Sequence, residues 1–163
     1  MIQKDRNFDK LINRFEQKVY ETAKGDWRLK LLKEDLQFIQ DSPQKLTVWD
    51  AGCGLAQISL WFAKNGHQLT LCDISKKMLS RSQLAFKNAD LHADFYKESA
   101  QNLAHQLPLF DVVLFHAVLE WLVEPMQSLR TICQQVKPGG YLSLLFYNRN
   151  AMIFKNSLRG GWR

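Results

Sequence analysis

Residues 48–54 read Val48-Trp49-Asp50-Ala51-Gly52-Cys53-Gly54, and they predict a strand that runs into a glycine turn. The turn is expected to open a helix at Gly54, and a second apolar strand, residues 68–72, then leads to Asp73. A strand, a glycine turn, a helix and a second strand followed by an acid form a nucleotide-binding βαβ unit. In such a unit the glycines let the backbone approach the ligand, and the acid accepts hydrogen bonds from ribose hydroxyls.

The turn favours a nucleoside without phosphate as the ligand. A dinucleotide-binding turn has a third glycine, at the position that Gln57 occupies here. Asp50 precedes the turn, and its carboxylate would repel a phosphate but attract an ammonium group or an amide donor. These differences indicate S-adenosylmethionine as the cofactor. An NAD-dependent oxidoreductase is the alternative, and calorimetry with both cofactors would separate the two.

Length, charge and cysteine content limit the class of protein. A chain of 163 residues is one domain by size, and its longest apolar runs, 112–115 and 144–147, are too short to span a membrane. A polar N-terminus and three cysteines without C-x-x-C spacing predict a cytoplasmic protein with reduced thiols. The net charge of +6 is compatible with an anionic partner such as RNA. The histidines lack ligand spacing, so no metal site is predicted.

Strands and helices alternate along the chain. We predict two N-terminal helices, the first over Phe8–Val19, and divide the single domain into an N-terminal helical cap (residues 1–43) and a cofactor-binding core (residues 44–163). The predicted strands are Leu46–Trp49, Gln68–Cys72, Phe95–Tyr96, Phe110–Phe115 and Tyr141–Phe146. This order predicts an α/β fold: a Rossmann-like three-layer sandwich with a mostly parallel sheet of about five strands.

Ligands of such sheets bind beyond the carboxyl ends of the strands, so the residues after each strand are the candidate site. They are Asp50–Gly54, Asp73, Ala100-Gln101, His116-Ala117 and Tyr147-Asn148. Asp73 could instead cap the helix that Ser75 begins, but its place after the second strand favours ribose binding. Glu120 is the second candidate acid of the site, although the role of an exposed helical glutamate is favoured for it.

Several blocks of the sequence resemble the class I S-adenosylmethionine-dependent methyltransferases. They are Asp-x-Gly-x-Gly after the first strand, an acid after the second and Pro138-Gly139-Gly140 before the fifth. Longer blocks are similar to the bacterial tRNA 5-carboxymethoxyuridine methyltransferase family. They are Asp5-Arg6-Asn7-Phe8-Asp9, residues 22–25 with Arg28, Leu71–Ser75, Phe115-His116-Ala117-Val118-Leu119-Glu120-Trp121 and Leu142–Asn148.

The resemblance implies methyl transfer to the carboxylate of 5-carboxymethoxyuridine at the tRNA wobble position. It implies cofactor contacts at Arg28, Gly52, Cys53, Asp73, Ala100, Gln101 and His116, to which the turn adds Asp50 and Gly54. Tyr147 and Arg149 are the candidate substrate residues. Arg149, Lys155, Arg159 and Arg163 have no acid among them and form a candidate phosphate-binding set. We assign no catalytic base, because a carboxylate is already ionised and nucleophilic at neutral pH.

The chain departs from this family in two ways. Cys53 stands where the family has glycine, so its backbone must adopt a negative φ. The family also adds a sixth strand and an antiparallel seventh, whereas this sequence ends at Arg163, so the fifth strand is expected to be a bare sheet edge. The alternatives are therefore a small-molecule methyltransferase and a truncated, inactive chain that at most binds the cofactor.

Overall fold

The computed structural model describes Asp5, Asp9 and residues 22–158. Apart from Asp9, the predicted helix over Phe8–Val19 lies outside these residues, as do Arg159 and Arg163. The helices are α1 Ala23–Gln40, α2 Gln57–Lys64, α3 Lys76–Asn88, α4 Ala100–Ala104, α5 Pro125–Cys133 and α6 Arg149–Leu158. The strands are β1 Thr47–Ala51, β2 Gln68–Cys72, β3 Asp94–Tyr96, β4 Phe110–His116 and β5 Val136–Leu145, and a 3₁₀ turn spans Leu119–Trp121.

The five strands form one parallel sheet in the order β3-β2-β1-β4-β5. The order reverses between β1 and β4, which is where open α/β sheets have their ligand crevice. This architecture confirms the predicted Rossmann-like fold. β5 is the edge strand among the described residues, and Tyr141 on it is 47% exposed.

The core consists of two apolar layers, one on each face of the sheet. Val48, Leu71 and Leu114 face the layer that contains side chains of α1, α2 and α3. Trp49 and Val113 belong to the other layer, which α4 and α5 cover. Because neighbouring residues of one strand point to opposite faces and both faces are covered, β4 has a continuous apolar run, Val112–Phe115, rather than an alternating pattern.

α1 belongs to the first of these layers, since Leu36 and Ile39 are buried in it. The division of the chain at residue 43 stays a prediction. Within the described part of the chain, no helix combines the length and apolar character needed to cross a bilayer.

Two element boundaries differ from the sequence prediction. α2 begins at Gln57 rather than at Gly54, because Gly54 (φ 53°) and Ala56 (φ 54°) adopt left-handed conformations that a right-handed helix excludes. β5 begins at Val136 rather than at Tyr141, because Phe110 already pairs with Val136 before the chain bulges and resumes pairing at Tyr141.

Candidate functional site

The ends of β1, β2 and β4 and the residues after β3 surround one pocket at the carboxyl edge of the sheet. The space in the pocket, its open mouth included, is about 1110 Å³. Every residue predicted to contact the cofactor lines it: Arg28, Asp50, Gly52, Cys53, Gly54, Asp73, Ala100, Gln101 and His116. The fold thus brings together residues from five separate stretches of the chain.

The glycine turn after β1 is fastened to the end of β2. The backbone N–H groups of Gly52 and Cys53 both donate to the carbonyl oxygen of Cys72, at 3.0 and 2.9 Å. Gly52 has φ +99°, and a Cβ there would lie 2.6 Å from Cγ2 of Val118. This position therefore requires glycine for two reasons, its backbone conformation and the close approach of the chain after β4.

Cys53 fits the turn without a left-handed backbone. The non-glycine residues of positive φ in the described chain are Ala56, Asp90 and Ala117, so Cys53 has the negative φ that its Cβ requires. Its side chain is buried, and burial raises the pKa of the Cys53 thiol well above its usual value. The thiol is therefore neutral, and it acts as a small apolar group in the pocket wall. All three cysteines are free.

Asp73 links the glycine turn to α3. Its Oδ2 accepts a hydrogen bond from Gly54 N at 2.9 Å, and its Oδ1 accepts one from Ser75 N at 2.7 Å. The cap of α3 is Ser75, whose hydroxyl accepts from Met78 N. Each carboxylate oxygen of Asp73 has a second lone pair, so the group can still accept hydrogen bonds from a ligand hydroxyl.

Asp50 is a buried acid on the pocket wall. Its Oδ2 accepts a hydrogen bond from the hydroxyl of Ser59, and its side chain is only 5% exposed. Burial raises the pKa of Asp50 to about 7; the Ser59 hydrogen bond opposes this rise and the charge of Asp73 adds to it. In the described structure no lysine or arginine forms an ion pair with this carboxyl group. A cation placed beside it would therefore favour its ionised form.

His116 and Arg28 lie at the β4 side of the pocket. A ring nitrogen of His116, Nε2, is hydrogen-bonded to Oγ of Ser143 at 2.7 Å. Burial, and then the positive charge of Arg28, lower the pKa of His116 to about 4. The imidazole is therefore neutral at physiological pH, and Arg28 provides the positive charge on this side.

Comparison with known proteins identifies the family of this chain. The methyltransferase domain family matches residues 49–144, which run from β1 to β5. The chain belongs to this methyltransferase family.

Two curated relatives show how far the similarity extends. The tRNA 5-carboxymethoxyuridine methyltransferase of Escherichia coli (strain K12) is 39% identical over 97% of this chain and 62% of its own length. The ubiquinone biosynthesis O-methyltransferase of Chromobacterium violaceum is 32% identical over 66% of this chain and 47% of its own length. The chain thus spans less than two thirds of either relative.

A solved structure supports the same fold. Magnesium protoporphyrin IX methyltransferase (ChlM) from Synechocystis PCC 6803, with bound SAH, matches with a TM-score of 0.74 over 96% of this chain and 76% of its own. The two sequences are 19% identical, so this likeness shows the methyltransferase fold alone.

The pocket of this methyltransferase also contains residues that the sequence did not predict as ligand contacts. Asp5 is a polar member of this set. The apolar members include Leu29, Leu32, Ile74, Met78, Val118, Trp121 and Leu122. Apolar residues at helical spacing indicate burial but not what covers them, so their pattern could not distinguish the pocket wall from the core. Asp5 stands in the block Asp5–Asp9 that the resemblance quoted, which was the available signal.

Of the two candidate substrate residues, Tyr147 lies apart from the pocket lining. Tyr147 is 41% exposed, and its backbone N–H donates to Oε1 of Glu120. Arg149 begins α6, and the structure describes only its backbone. Glu120 lies in the 3₁₀ turn and is half-buried with its Oε2 buried, so the prediction that it is exposed was wrong. Within the described part of the chain, no group of acidic, histidine or cysteine side chains could hold a metal ion.

Proposed function

We propose that this methyltransferase binds S-adenosylmethionine in the pocket at the carboxyl edge of the sheet. The main support is that all nine residues predicted from the sequence line one pocket. The buried acid Asp50 and the cation Arg28 lie at the end of this pocket formed by β1 and β4. A phosphate-bearing dinucleotide fits this set less well, because Asp50 would repel its phosphates.

The chemistry of the lining matches the parts of this cofactor. Asp73 would accept hydrogen bonds from the ribose hydroxyls, as an acid after the second strand does in nucleotide-binding folds. Asp50 would face the ammonium group, and Arg28 would hold the carboxylate of the methionine part through a charge-assisted pair of hydrogen bonds. The neutral imidazole of His116 adds no positive charge beside a sulfonium.

We further propose that the acceptor is the carboxylate of 5-carboxymethoxyuridine at the tRNA wobble position. The support is the relative of that name, 39% identical over 97% of this chain. Bound S-adenosylmethionine supplies an activated methyl group. The task of the protein is then to orient an already ionised carboxylate towards it and to exclude water, so the chain needs no general base. The tRNA partner fits the net charge of +6, and such a reaction belongs in the cytoplasm.

The decisive experiment measures transfer of a labelled methyl group from S-adenosylmethionine to tRNA. We expect label in tRNA that carries 5-carboxymethoxyuridine and none in otherwise identical unmodified tRNA. Equal labelling of both would overturn the carboxylate assignment. Methylation of small phenols without any labelling of tRNA would instead favour the second candidate, a small-molecule methyltransferase, which the ubiquinone-type relative supports.

A binding experiment tests the cofactor independently of turnover. Calorimetry is expected to detect binding of S-adenosylhomocysteine and no binding of NADH. Binding of S-adenosylhomocysteine without methyl transfer to either class of acceptor would support the alternative of a chain that binds the cofactor only. Binding of NADH in preference would overturn the cofactor assignment.

A further inference from the structure

Asp5 is held in the pocket by two hydrogen bonds from distant parts of the chain. Its Oδ2 accepts from Nε2 of Gln101 at 2.7 Å, and its Oδ1 accepts from the backbone N of Val123 at 2.8 Å. Both Asp5 and Gln101 line the pocket. The carboxylate is thus fixed from two sides, by α4 and by the segment between the 3₁₀ turn and α5.

This arrangement determines which end of the Gln101 amide faces the carboxylate. An ionised carboxylate only accepts hydrogen bonds, so the NH₂ group of Gln101 must face Asp5. The amide oxygen of Gln101, Oε1, accepts no hydrogen bond from the residues that the structure describes. Gln101, which lines the pocket, is therefore left with an acceptor to offer a ligand, although a free glutamine side chain could equally present a donor.

The position of Gln101 along the sheet indicates which part of a ligand it meets. In the strand order β3-β2-β1-β4, Gln101 follows β3, Asp73 follows β2, and Asp50 and His116 belong to β1 and β4. With the ribose at Asp73 and the charged methionine part at Asp50, the base must lie on the opposite side of the ribose. That side is the one where Gln101 lies, and the apolar side chains of Ile74 and Met78 also line the pocket.

We propose that Asp5 is a positioning residue that sets the base specificity of the pocket. By holding Nε2 of Gln101, it leaves Oε1 to accept a hydrogen bond from the exocyclic amino group of adenine. A base with a carbonyl oxygen at the same place, such as hypoxanthine, meets a second acceptor and is rejected. This inference rests on the proposed binding of S-adenosylmethionine and adds to it the residue that selects the base.

The variant Asp5→Asn is predicted to reverse the amide of Gln101. The N–H of Val123 still needs an acceptor, so Oδ1 of the new side chain faces it and the new NH₂ group faces Gln101. Gln101 must then turn its Oε1 towards that NH₂ group and present its own NH₂ to the ligand. The substitution preserves the shape of the side chain, so the change is one of donor and acceptor pattern.

The test compares two ligands that differ only in the base, S-adenosylhomocysteine and S-inosylhomocysteine, by calorimetry on the full chain. We expect the wild-type protein to prefer the adenine ligand by at least about tenfold, since the mismatch leaves two acceptors opposed. In Asp5→Asn this ratio of dissociation constants should fall by about tenfold or invert. The matched control is Asp35→Asn, an exposed acid on α1, which should leave the ratio unchanged.

The ratio distinguishes base selection from a purely structural role. If Asp5→Asn weakens both ligands by the same factor, Asp5 only supports the fold and the inference is overturned while the proposed function stands. If the wild-type protein binds neither ligand, the proposed function fails and this inference fails with it. A wild-type preference for the adenine ligand that is lost in Asp5→Asn alone supports both.

Discussion

At the scale of a single residue, we expect Asp50 to make binding of S-adenosylhomocysteine depend on pH. Burial raises its pKa to about 7, so the carboxyl group changes charge within the physiological range. In the proposed complex the ligand ammonium group contacts the ionised form of Asp50, so protonation of this carboxyl group should weaken binding. With this pKa, the ionised fraction falls about tenfold between pH 8 and pH 6, and we expect the dissociation constant of S-adenosylhomocysteine to rise about tenfold. Calorimetry at the two pH values measures this change.

The variant Asp50→Asn is the control for this pH dependence. It keeps an oxygen that can accept from Ser59 but removes the charge, so its affinity should be low and independent of pH between 6 and 8. His116, with its pKa lowered to about 4, does not titrate in this range. A wild-type profile as flat as that of the variant would contradict the role of Asp50.

The raised pKa of Asp50 gives the stability of the ligand-free protein a pH dependence opposite to the one expected for ligand binding. The folded state binds the proton of Asp50 more tightly than the unfolded state, whose carboxyl pKa is near the ordinary 3.8. Its contribution therefore favours folding at low pH and is lost as the pH rises through about 7. Lowering the pH from 8 to 6 is thus expected to stabilise the free fold through Asp50 while it weakens binding of S-adenosylhomocysteine.

At the scale of elements, the turn after β1 is pressed against the chain after β4. The variant Gly52→Ala brings a Cβ within 2.6 Å of Val118 Cγ2 and forces φ +99° on a residue with a side chain. We expect a loss of about 2–4 kcal/mol in the free energy of unfolding, measured by denaturant titration, and loss of S-adenosylhomocysteine binding.

Gly139→Ala is the matched control for the turn. Gly139 also has a left-handed backbone (φ +79°), but a Cβ there meets nothing within 4 Å. The free energy of unfolding of Gly139→Ala should fall only by the backbone-strain contribution, about 1 kcal/mol, and the variant should still bind S-adenosylhomocysteine. Equal losses in the two variants would mean that the contact between the turn and Val118 contributes nothing.

At the amino ends of the strands, away from the pocket, a polar cluster joins β1, β4 and β5. Asp111 Oδ2 accepts from both the backbone N and the hydroxyl of Thr47, at 2.8 and 2.7 Å, and its Oδ1 accepts from Nζ of Lys137 at 2.9 Å. We expect Asp111→Ala to lower the free energy of unfolding by about 1–2 kcal/mol, a modest value because the ion pair is partly exposed. Denaturant titration measures this loss.

This cluster provides a second, pH-dependent check. Burial acts to raise the pKa of Asp111, but the hydrogen bonds from Thr47 and Lys137 outweigh it and lower the pKa to about 2. The stability that the cluster contributes is present above pH 3.8 and is lost as the pH falls towards 2, so the variant should be less sensitive to acid over this range. At neutral pH its affinity for S-adenosylhomocysteine should equal that of Asp35→Ala, because the cluster lies at the edge away from the pocket.

For the whole molecule, the net charge of +6 and the basic residues of α6 predict tRNA binding through phosphates. Neutralising Arg149 and Lys155 to glutamine should weaken binding and reduce the slope of log Kd against log salt by about 2. The control neutralises Lys64 and Lys87, exposed lysines of α2 and α3, and has the same net charge. Filter-binding measurements over a range of salt separate the two: equal slopes would mean that α6 does not contact the phosphates.

The order of elements was predictable from the sequence because it depends on local patterns. The apolar run at Phe110–Phe115 and the acid after residues 68–72 each identify a strand end without knowledge of the rest of the chain. Since carboxyl ends of parallel strands meet at one edge, His116 and Asp73 could be assigned to one pocket. The start of α2 was not predictable, because Ala56 has a left-handed backbone and alanine in a sequence does not indicate a positive φ.

The sequence by itself determined the parallel α/β fold and the pocket residues that follow the strands, since strand periodicity and glycine turns are local properties. Only the tertiary structure decided the pairings between distant residues: Asp5 with Gln101, Thr47 with Asp111 and Glu120 with Tyr147. Each pairing joins polar groups that are far apart in the chain. The sequence around a polar residue indicates neither which group it will bond nor whether it will be buried. The raised pKa of Asp50 and the fixed amide of Gln101 both arise from such packing, which brings groups together that no local pattern connects.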